Sequence, residues 1–199
     1  RPMSPIAQMS IVLAVVFTVL ALFIAYLIYE NECIRKVRYR YDGAPSGFSG
    51  YKIVHISDLH NKRFGKGQKR LLRYVADEKP DMIAVTGDLF QNEYIENARD
   101  FMEGAVKIAP VYYVVGNHET LVSLLPEFLK HMREIGVHVL ENGVETIERD
   151  GDTISILGLS DPMTFGGNGG RERRRRAAAE LGRMSAPLAS AVAAERHRV

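Results

Sequence analysis

Residues 51–60 read YKIVHISDLH, an apolar run with the composition of a buried strand that ends in an aspartate and a histidine. The same order, an apolar run followed directly by polar residues, returns in MIAVTGD at residues 82–88 and in VYYVVGNHE at residues 111–119. Apolar runs of this length, bounded by turn-forming residues, are typical of strands buried on both faces of a sheet. These three stretches predict the central strands of an α/β domain.

Helical patterns separate these strands, with apolar side chains every three or four positions and a proline or glycine after each pattern. Residues 146–149 and 153–159, joined through Asp150 and Gly151, predict a hairpin. Strands that alternate with amphipathic helices predict a parallel sheet, which binds ligands at the carboxyl ends of its strands. The predicted helices span residues 68–79, 93–108 and 124–135, and the predicted strands span residues 51–57, 82–86, 111–115 and 137–140.

Polar side chains follow three of the predicted strands at that end. They are Asp58 and His60 after the first strand, Asp88 after the second, and Asn117 and His118 after the third. Oxygen ligands combined with a histidine nitrogen suit a borderline divalent ion such as Mn, Fe or Zn better than Mg or Ca. Each residue alone has a simpler explanation, as a turn cap or a surface histidine. Three clusters at successive strand ends favour a metal site.

Two local features support a shared site. Residues two apart point to the same side of an extended chain, so we expect Asp58 and His60 to face one ion if strand geometry continues into the loop. Gly87 and Gly116 open the second and third polar clusters. We expect both glycines to let the backbone turn tightly where a Cβ would obstruct the ions.

The motifs ISDLH, TGDLF and VVGNHE resemble the D-x-H, G-D and G-N-H-[ED] motifs of the calcineurin-like phosphoesterases, and the resemblance extends from residue 51 to residue 161. The stretch FSGYKIVHISDLHN resembles the start of this domain in bacterial membrane-anchored members. The resemblance implies half of a four-layer α/β/β/α sandwich. It also implies a phosphate-ester substrate, a monoester or a diester, hydrolysed with two divalent metal ions, Mn, Fe or Zn, that stabilise the entering and leaving oxygens.

The resemblance also implies a role for each polar residue. The implied metal ligands are Asp58 and His60 for the first ion, Asp88 as the bridge between both ions, and Asn117 for the second ion. His118 would protonate the leaving oxygen rather than bind metal, and Glu119 or Asp58 would orient its ring. Lys62, Arg63 and Lys66 on the following loop could attract a phosphate, although loop charges of this kind are more often simply solvated.

The family uses three further histidines, one on a short apolar strand and two in a G-H-x-H turn, and none of these motifs occurs in the sequence. His131, His138 and His197 stand in unrelated contexts and are interpreted as ordinary structural or surface residues. Only Asp88 and Asn117 would then hold the second ion, so we expect weak binding there and very low phosphatase activity from the chain as written. The alternative is a catalytically inactive membrane-tethered fragment or binding module.

Residues 11–29 form an uncharged apolar stretch in which Thr18 is the only clearly polar side chain. About 20 such residues in a helix cross the roughly 30 Å hydrocarbon core of a bilayer, which predicts one transmembrane helix within an anchor at residues 6–29. A cleaved signal peptide is the alternative, but the length of the apolar run and the missing small-residue cleavage site favour an anchor. Basic residues after the run favour a cytoplasmic location for the domain.

Composition sets the remaining boundaries. Residues 30–50 are predicted to be a linker with an edge strand at residues 37–41, and residues 51–165 the N-terminal part of the phosphoesterase domain. Residues 166–199 form an Arg- and Ala-rich tail, which we interpret as flexible or as the product of a frameshift near residue 167. A basic tail for nucleic acid or anionic lipid is the second interpretation.

The overall charge favours no nucleic-acid partner. Lys and Arg total 26 and Asp and Glu total 24, which gives a net charge of +2. The expected partners are instead a phosphate ester and a membrane. Cys33 is the single cysteine, so the chain cannot form an internal disulfide.

Overall fold

The computed structural model describes residues 3–159 and residue 179. The chain divides between Tyr39 and Arg40 into two compact units, each of which is described by itself. In chain order the helices and strands are α1 (Pro5–Glu32), β1 (Ile53–Ile56), α2 (Lys69–Asp77), β2 (Met82–Val85), α3 (Glu96–Ala105), β3 (Val111–Tyr113), α4 (Leu125–Glu134), β4 (His138–Val139), β5 (Val144–Arg149) and β6 (Asp152–Leu157). The predicted tail at residues 166–199 lies outside the described residues, apart from residue 179.

The first unit contains α1, which has a polar start and an apolar body. The Ser4 hydroxyl accepts a hydrogen bond from the backbone N–H of Ala7 at 3.3 Å and caps the helix, and Pro5 occupies its first turn. Thr18 donates its hydroxyl to the carbonyl of Ala14 at 2.8 Å, so this polar group is satisfied inside the apolar stretch. The span Pro5–Glu30 is long and apolar enough to cross a membrane, a property that a signal sequence near an N-terminus shares.

The second unit is built on the predicted parallel sheet. Within the described residues, four strands pair in the order β1, β2, β3, β4, and every pair is parallel. Amphipathic helices α2, α3 and α4 connect them, as the alternating pattern predicted. Several strands are shorter than predicted, because the chain leaves the ladder early to form the loops at the carboxyl ends. This early exit places the polar clusters on loops rather than on strands.

The two faces of the sheet bury different partners. On one face Ile83, Val85 and Tyr113 are almost completely buried, and the Tyr113 ring meets the Phe128 ring of α4 at 6.1 Å. Apolar burial of this kind is the main stabilising contribution to the domain. The opposite face forms a second cluster that includes Ile156 of β6; its buried members are Met82, Tyr112, Val114, Leu140 and Ile156.

The predicted hairpin is present as β5 and β6, which pair antiparallel from Val144↔Leu157 to Arg149↔Asp152. Its turn residues Asp150 and Gly151 have φ angles of 51° and 82°. Two positive φ angles are the signature of the turn that matches the twist of a two-residue hairpin, and the Asp-Gly pair adopts them readily. The sequence prediction of the turn is therefore confirmed.

The predicted edge strand at residues 37–41 does not form. Among the described residues, β1 pairs only with β2, and residues 37–41 join neither sheet. Tyr39 is 93% exposed and Val37 is 70% exposed, so neither side chain packs on a sheet face. Alternation of apolar and polar residues indicates a strand only where a sheet pairs with the chain, and the local pattern does not specify that partner.

Candidate metal centre

The loops after β1 and β2 run side by side at the carboxyl end of the sheet. Backbone N–H groups of the first loop donate to carbonyls of the second, from Asp58 to Gly87 at 3.2 Å, from His60 to Asp88 at 2.9 Å and from Asn61 to Leu89 at 2.9 Å. The two loops are thus joined by a ladder that continues past the last residue of β1. This ladder fixes the backbone from which Asp58, His60 and Asp88 project.

Left-handed backbone, not strand geometry, brings the first polar cluster together. Asp58, His60 and Asp88 have φ angles of 55°, 44° and 54°, and β1 already ends at Ile56. The condition set from the sequence, that strand geometry continues into the loop, is therefore not met. The side chains nevertheless converge, with His60 Nε2 at 3.6 Å from Asp58 Oδ1. Non-glycine residues in this region cost on the order of 1–3 kcal/mol each and concentrate at functional sites.

Three potential ligands converge across the three loops. One ligand atom each from His60, Asp88 and His118 lies within 4.8 Å of the others. His118 Nε2 is 3.9 Å from Asp88 Oδ2, and the two imidazole rings meet edge to face with centroids 4.9 Å apart. The Asp88 side chain is 3% exposed, whereas that of His118 is 38% exposed and reaches solvent. The sequence prediction that these strand ends form one cluster is confirmed for these residues.

The third loop carries Asn117 and His118. The backbone N–H of His118 donates to Asp88 Oδ1 at 3.1 Å, which ties this loop to the second one. Asn117 is partly buried beside it, and its backbone carbonyl accepts a hydrogen bond from the Thr120 hydroxyl at 2.6 Å. The assignment of the Asn117 side chain as a metal ligand stays a prediction.

The residues present fit a cation. Among the described residues, His60 Nδ1 is buried without a hydrogen-bond partner. Asp88 is 2% exposed and Glu119 is 0% exposed, so two carboxylates are buried close together. Buried charges of one sign are costly unless a positive charge compensates them. Carboxylate oxygen and imidazole nitrogen donors suit a borderline divalent ion, as the sequence indicated.

Glu119 binds backbone rather than the His118 ring. Its Oε2 accepts hydrogen bonds from the N–H groups of Asp88 at 2.9 Å and Gly116 at 3.1 Å, and its Oε1 accepts from Leu89 N–H at 2.5 Å. Burial raises the pKa of Glu119 to about 7, backbone hydrogen bonds oppose this rise, and nearby Asp88 adds a smaller increase. Among the described residues, Asp88 is the carboxylate in range of the His118 ring, so Glu119 does not orient that ring directly.

Two glycines allow the second and third loops to approach closely. Gly87 has a φ of 88°, and a Cβ there would lie 2.4 Å from the backbone nitrogen of Gly116. A Cβ on Gly116 would lie 2.3 Å from Asp88 Oδ1 and 2.8 Å from Glu119 Oε2. Side chains at either position would force the loops apart, so the close approach of the loops requires both glycines. The expectation that a Cβ would obstruct the ions stays a prediction.

Sequence reasoning missed Asn61, which fastens the first loop to the segment before α3. Its Oδ1 accepts the backbone N–H of Gln91 at 2.9 Å, its Nδ2 donates to the carbonyl of Tyr94, and its own carbonyl accepts from Asn97 Nδ2 at 2.7 Å. A φ of 62° is compatible with asparagine, which tolerates left-handed backbone better than most residues. An asparagine directly after a D-x-H cluster is the signal that could have identified it.

Replacing Glu119 with glutamine is expected to lower the affinity for Mn²⁺ by about 10- to 100-fold, the usual cost of losing a group that orients metal ligands. Glutamine keeps one acceptor oxygen, so its amide NH₂ must face at least one of the three backbone N–H groups that Glu119 now accepts. Isothermal titration calorimetry of the full chain in detergent measures this change, and far-UV circular dichroism checks folding.

Asp152→Asn is the matched control. Asp152 Oδ2 accepts from Gly47 N–H at 2.7 Å and from the Ser46 hydroxyl at 3.0 Å, so an asparagine oxygen can keep both bonds. This variant makes the same carboxylate-to-amide change outside the cluster and should bind Mn²⁺ like the parent. Equal Mn²⁺ affinity of Glu119→Gln and the parent would contradict the positioning role of Glu119.

Comparisons with known proteins show the family to which the chain belongs. The family model described as calcineurin-like phosphoesterase matches residues 51–182. The uncharacterized metallophosphoesterase YkoQ of Bacillus subtilis is 28% identical over 129 residues, which cover 62% of this chain and 47% of YkoQ. The uncharacterized metallophosphoesterase YkuE of the same organism is 29% identical over 126 residues, which cover 60% of this chain and 44% of YkuE. The chain thus spans about half the length of the curated relatives it matches.

A crystal structure of a protein of unknown function from Aquifex aeolicus aligns with 66% of this chain and 74% of its own, at a TM-score of 0.33 and 17% identity. This structural similarity is too low to support an argument about the site. The match to the family model extends over more than half of the chain and includes all three strand-end motifs. The chain therefore belongs to the calcineurin-like phosphoesterase family.

Proposed function

We propose that the chain forms the N-terminal, metal-binding part of an enzyme that hydrolyses phosphomonoesters or phosphodiesters with two divalent metal ions. The observation that supports this proposal most directly is the convergence of His60, Asp88 and His118 within 4.8 Å. Family membership supports metal-dependent hydrolysis of a phosphate ester in general.

Four side chains are proposed to hold the ions. Asp58 and His60, whose side chains lie 3.6 Å apart, bind the first ion together with Asp88. Asp88 also contacts the second ion, which Asn117 binds from the third loop. When bound, two divalent ions supply the Lewis acidity that stabilises charge on the entering and leaving oxygens. Buried Asp88 suits the bridging position, because its carboxylate is held between the two loops that carry the other ligands.

His118 is proposed to donate a proton to the leaving oxygen. Its side chain is 38% exposed, so a substrate at the mouth of the site can reach it, and its Nε2 lies 3.9 Å from Asp88 Oδ2. A carboxylate at this distance can hold the ring toward the site. The bonding of Glu119 to backbone leaves Asp88 as the orienting carboxylate in this proposal.

Helix α1 is proposed to anchor the domain in a membrane as a single span. The apolar stretch Pro5–Glu30 has the required length, and large side chains such as Phe17 and Leu22 are each 67% exposed. The basic residues after α1 support a cytoplasmic location for the catalytic domain. A phosphate ester at or near a bilayer is therefore the proposed class of substrate.

Metal-dependent hydrolysis tests the proposed function. The full chain in detergent is stripped with a chelator and then assayed with p-nitrophenyl phosphate and bis(p-nitrophenyl) phosphate, with and without added Mn²⁺. We expect low but Mn²⁺-dependent hydrolysis together with Mn²⁺ binding in calorimetry. Binding without any hydrolysis would favour the alternative of a tethered binding module. Absence of both would contradict the proposal.

A further inference from the structure

We infer that residues 33–39, which directly follow α1, bind the anionic headgroups of the bilayer that α1 enters. These residues, CIRKVRY, are called the post-helix segment below. The inference depends on the proposal that α1 spans a membrane and adds a lipid specificity to it. The segment belongs to the same compact unit as α1, so its position relative to the helix is defined.

Basic and apolar side chains alternate over the second half of the post-helix segment. Residues 33–39 form no helix, turn, bend or strand, and Cys33 has extended angles of φ −77° and ψ 125°. Successive side chains of an extended chain point to opposite sides. From Lys36 to Tyr39 a basic residue alternates with an apolar one, which explains why this stretch predicted a strand, and Arg35 directly precedes this alternation.

Val37 and Tyr39 are not buried by the part of the chain that the structure describes. Val37 is 70% exposed and Tyr39 is 93% exposed, although both are large and apolar. Tyrosine favours the region between hydrocarbon and water, where its ring is desolvated and its hydroxyl stays hydrated. Two further exposed tyrosines, Tyr26 and Tyr29, lie near the end of α1 and are 56% and 65% exposed. Aromatic residues thus flank the end of the helix on both sides.

The positive charge of the post-helix segment favours anionic lipid as its partner. The segment contains Arg35, Lys36 and Arg38 and no acidic residue. The Arg35 guanidinium pairs with Glu30 on the helix, and the Arg35 side chain is 70% exposed, so a phosphate can replace or join this partner. A second copy of the chain would present the same positive charges and repel them, whereas anionic headgroups attract them.

Tethering makes the contact local. Seven residues, 33 to 39, extend at most about 25 Å, so every part of the segment stays within that distance of the end of α1. A covalently attached binding element acts at a high effective concentration, and weak contacts per residue therefore suffice. The segment is expected to lie along the membrane surface when the lipids are anionic.

The absence of tryptophan from the sequence allows a sharp test. Tyr39→Trp introduces one fluorophore into the full chain, which is reconstituted in nanodiscs of phosphatidylcholine alone or mixed with phosphatidylglycerol. We expect a blue-shifted emission and quenching by brominated lipids in the anionic discs only. Replacing Lys36 and Arg38 with glutamine in this background should lower the equilibrium constant for binding of the segment to the membrane surface about fivefold for each charge removed. Tyr94→Trp is the control, because Tyr94 is 54% exposed in the other unit and should not respond.

A second single-tryptophan variant, Phe17→Trp, separates this inference from the proposed anchor. If brominated lipids do not quench the Phe17→Trp variant, α1 is not in the bilayer, and both the anchor and the lipid contact are wrong. If they quench that variant while the indole of Tyr39→Trp stays in water in anionic discs, the anchor stands and the inference is overturned. Equal quenching of Tyr39→Trp in both kinds of disc would overturn the requirement for anionic lipid.

Discussion

Replacing Asp88 with asparagine is expected to lower the affinity for Mn²⁺ by more than about 100-fold. Changing a residue that only orients metal ligands usually lowers metal affinity about 10- to 100-fold. Asp88 is proposed to bind both ions itself, so a larger loss is expected. Its Oδ1 accepts the His118 N–H at 3.1 Å, and the oxygen of asparagine can keep that bond, so the loops should stay in place. The loss therefore reports the missing negative charge and ligand atom.

The same variant should not lower the stability of the metal-free protein. Asp88 is 2% exposed beside fully buried Glu119, and two carboxylates in one buried site repel each other when no cation is bound. Removing one charge relieves that repulsion, so the melting temperature without metal should stay equal or rise. Opposed effects on metal affinity and stability are characteristic of a functional residue and not of a structural one.

Calorimetry with Mn²⁺ and thermal melting of the chelator-treated protein measure the two effects. Asn117→Ala provides the comparison, because Asn117 is proposed to contact only one ion and should reduce affinity less than Asp88→Asn. A larger loss from Asn117→Ala would contradict the bridging role of Asp88. A metal-free Asp88→Asn protein that melts well below the parent would show instead that Asp88 has a structural role.

The sequence predicted which residues meet but not how the backbone brings them together. Apolar runs ending in polar residues were sufficient to predict a parallel sheet with a cluster at its carboxyl edge, because parallel strands share that edge. The path of the first loop was not predictable in the same way. Left-handed angles at Asp58 and His60 depend on backbone hydrogen bonds to Gly87 and Asp88, which are 28 or more positions away in sequence.

Glu119 and residues 37–41 both show that local sequence does not specify contacts between distant parts of the chain. The G-N-H-E motif predicted that Glu119 belongs to the site, but two of its three backbone partners, Asp88 and Leu89, lie on another loop that only the fold brings near. Residues 37–41 have the alternation of a strand and form none, because strand formation requires a neighbour that the local pattern does not specify. The presence of Gly87 and Gly116, by contrast, indicated tight backbone turns at these positions, and the structure shows that a Cβ at either one would clash with the neighbouring loop.

Replacing His118 with alanine is expected to lower hydrolysis of phenyl phosphate, whose leaving oxygen needs a proton, by about 10²- to 10⁴-fold, the usual contribution of a positioned general acid. The affinity for Mn²⁺ should change little, because His118 is proposed to act on the leaving oxygen and not on the ions. The two roles, proton donor and metal ligand, must be distinguished, because a ring nitrogen of His118 lies within 4.8 Å of ligand atoms of His60 and Asp88. Geometry alone would also allow His118 to bind metal.

Leaving-group dependence separates the two roles of His118. A p-nitrophenolate leaves without a proton, whereas the phenolate released from phenyl phosphate needs one, so loss of the general acid should slow phenyl phosphate far more. Loss of a metal ligand would slow both esters alike and would lower Mn²⁺ affinity as much as His60→Ala does. His131→Ala is the control, because this histidine pairs with Glu103 at 2.8 Å on the helical side and should leave both rates unchanged. An unchanged ratio of the two rates in His118→Ala, together with a loss of metal, would assign His118 to the metal centre as a ligand.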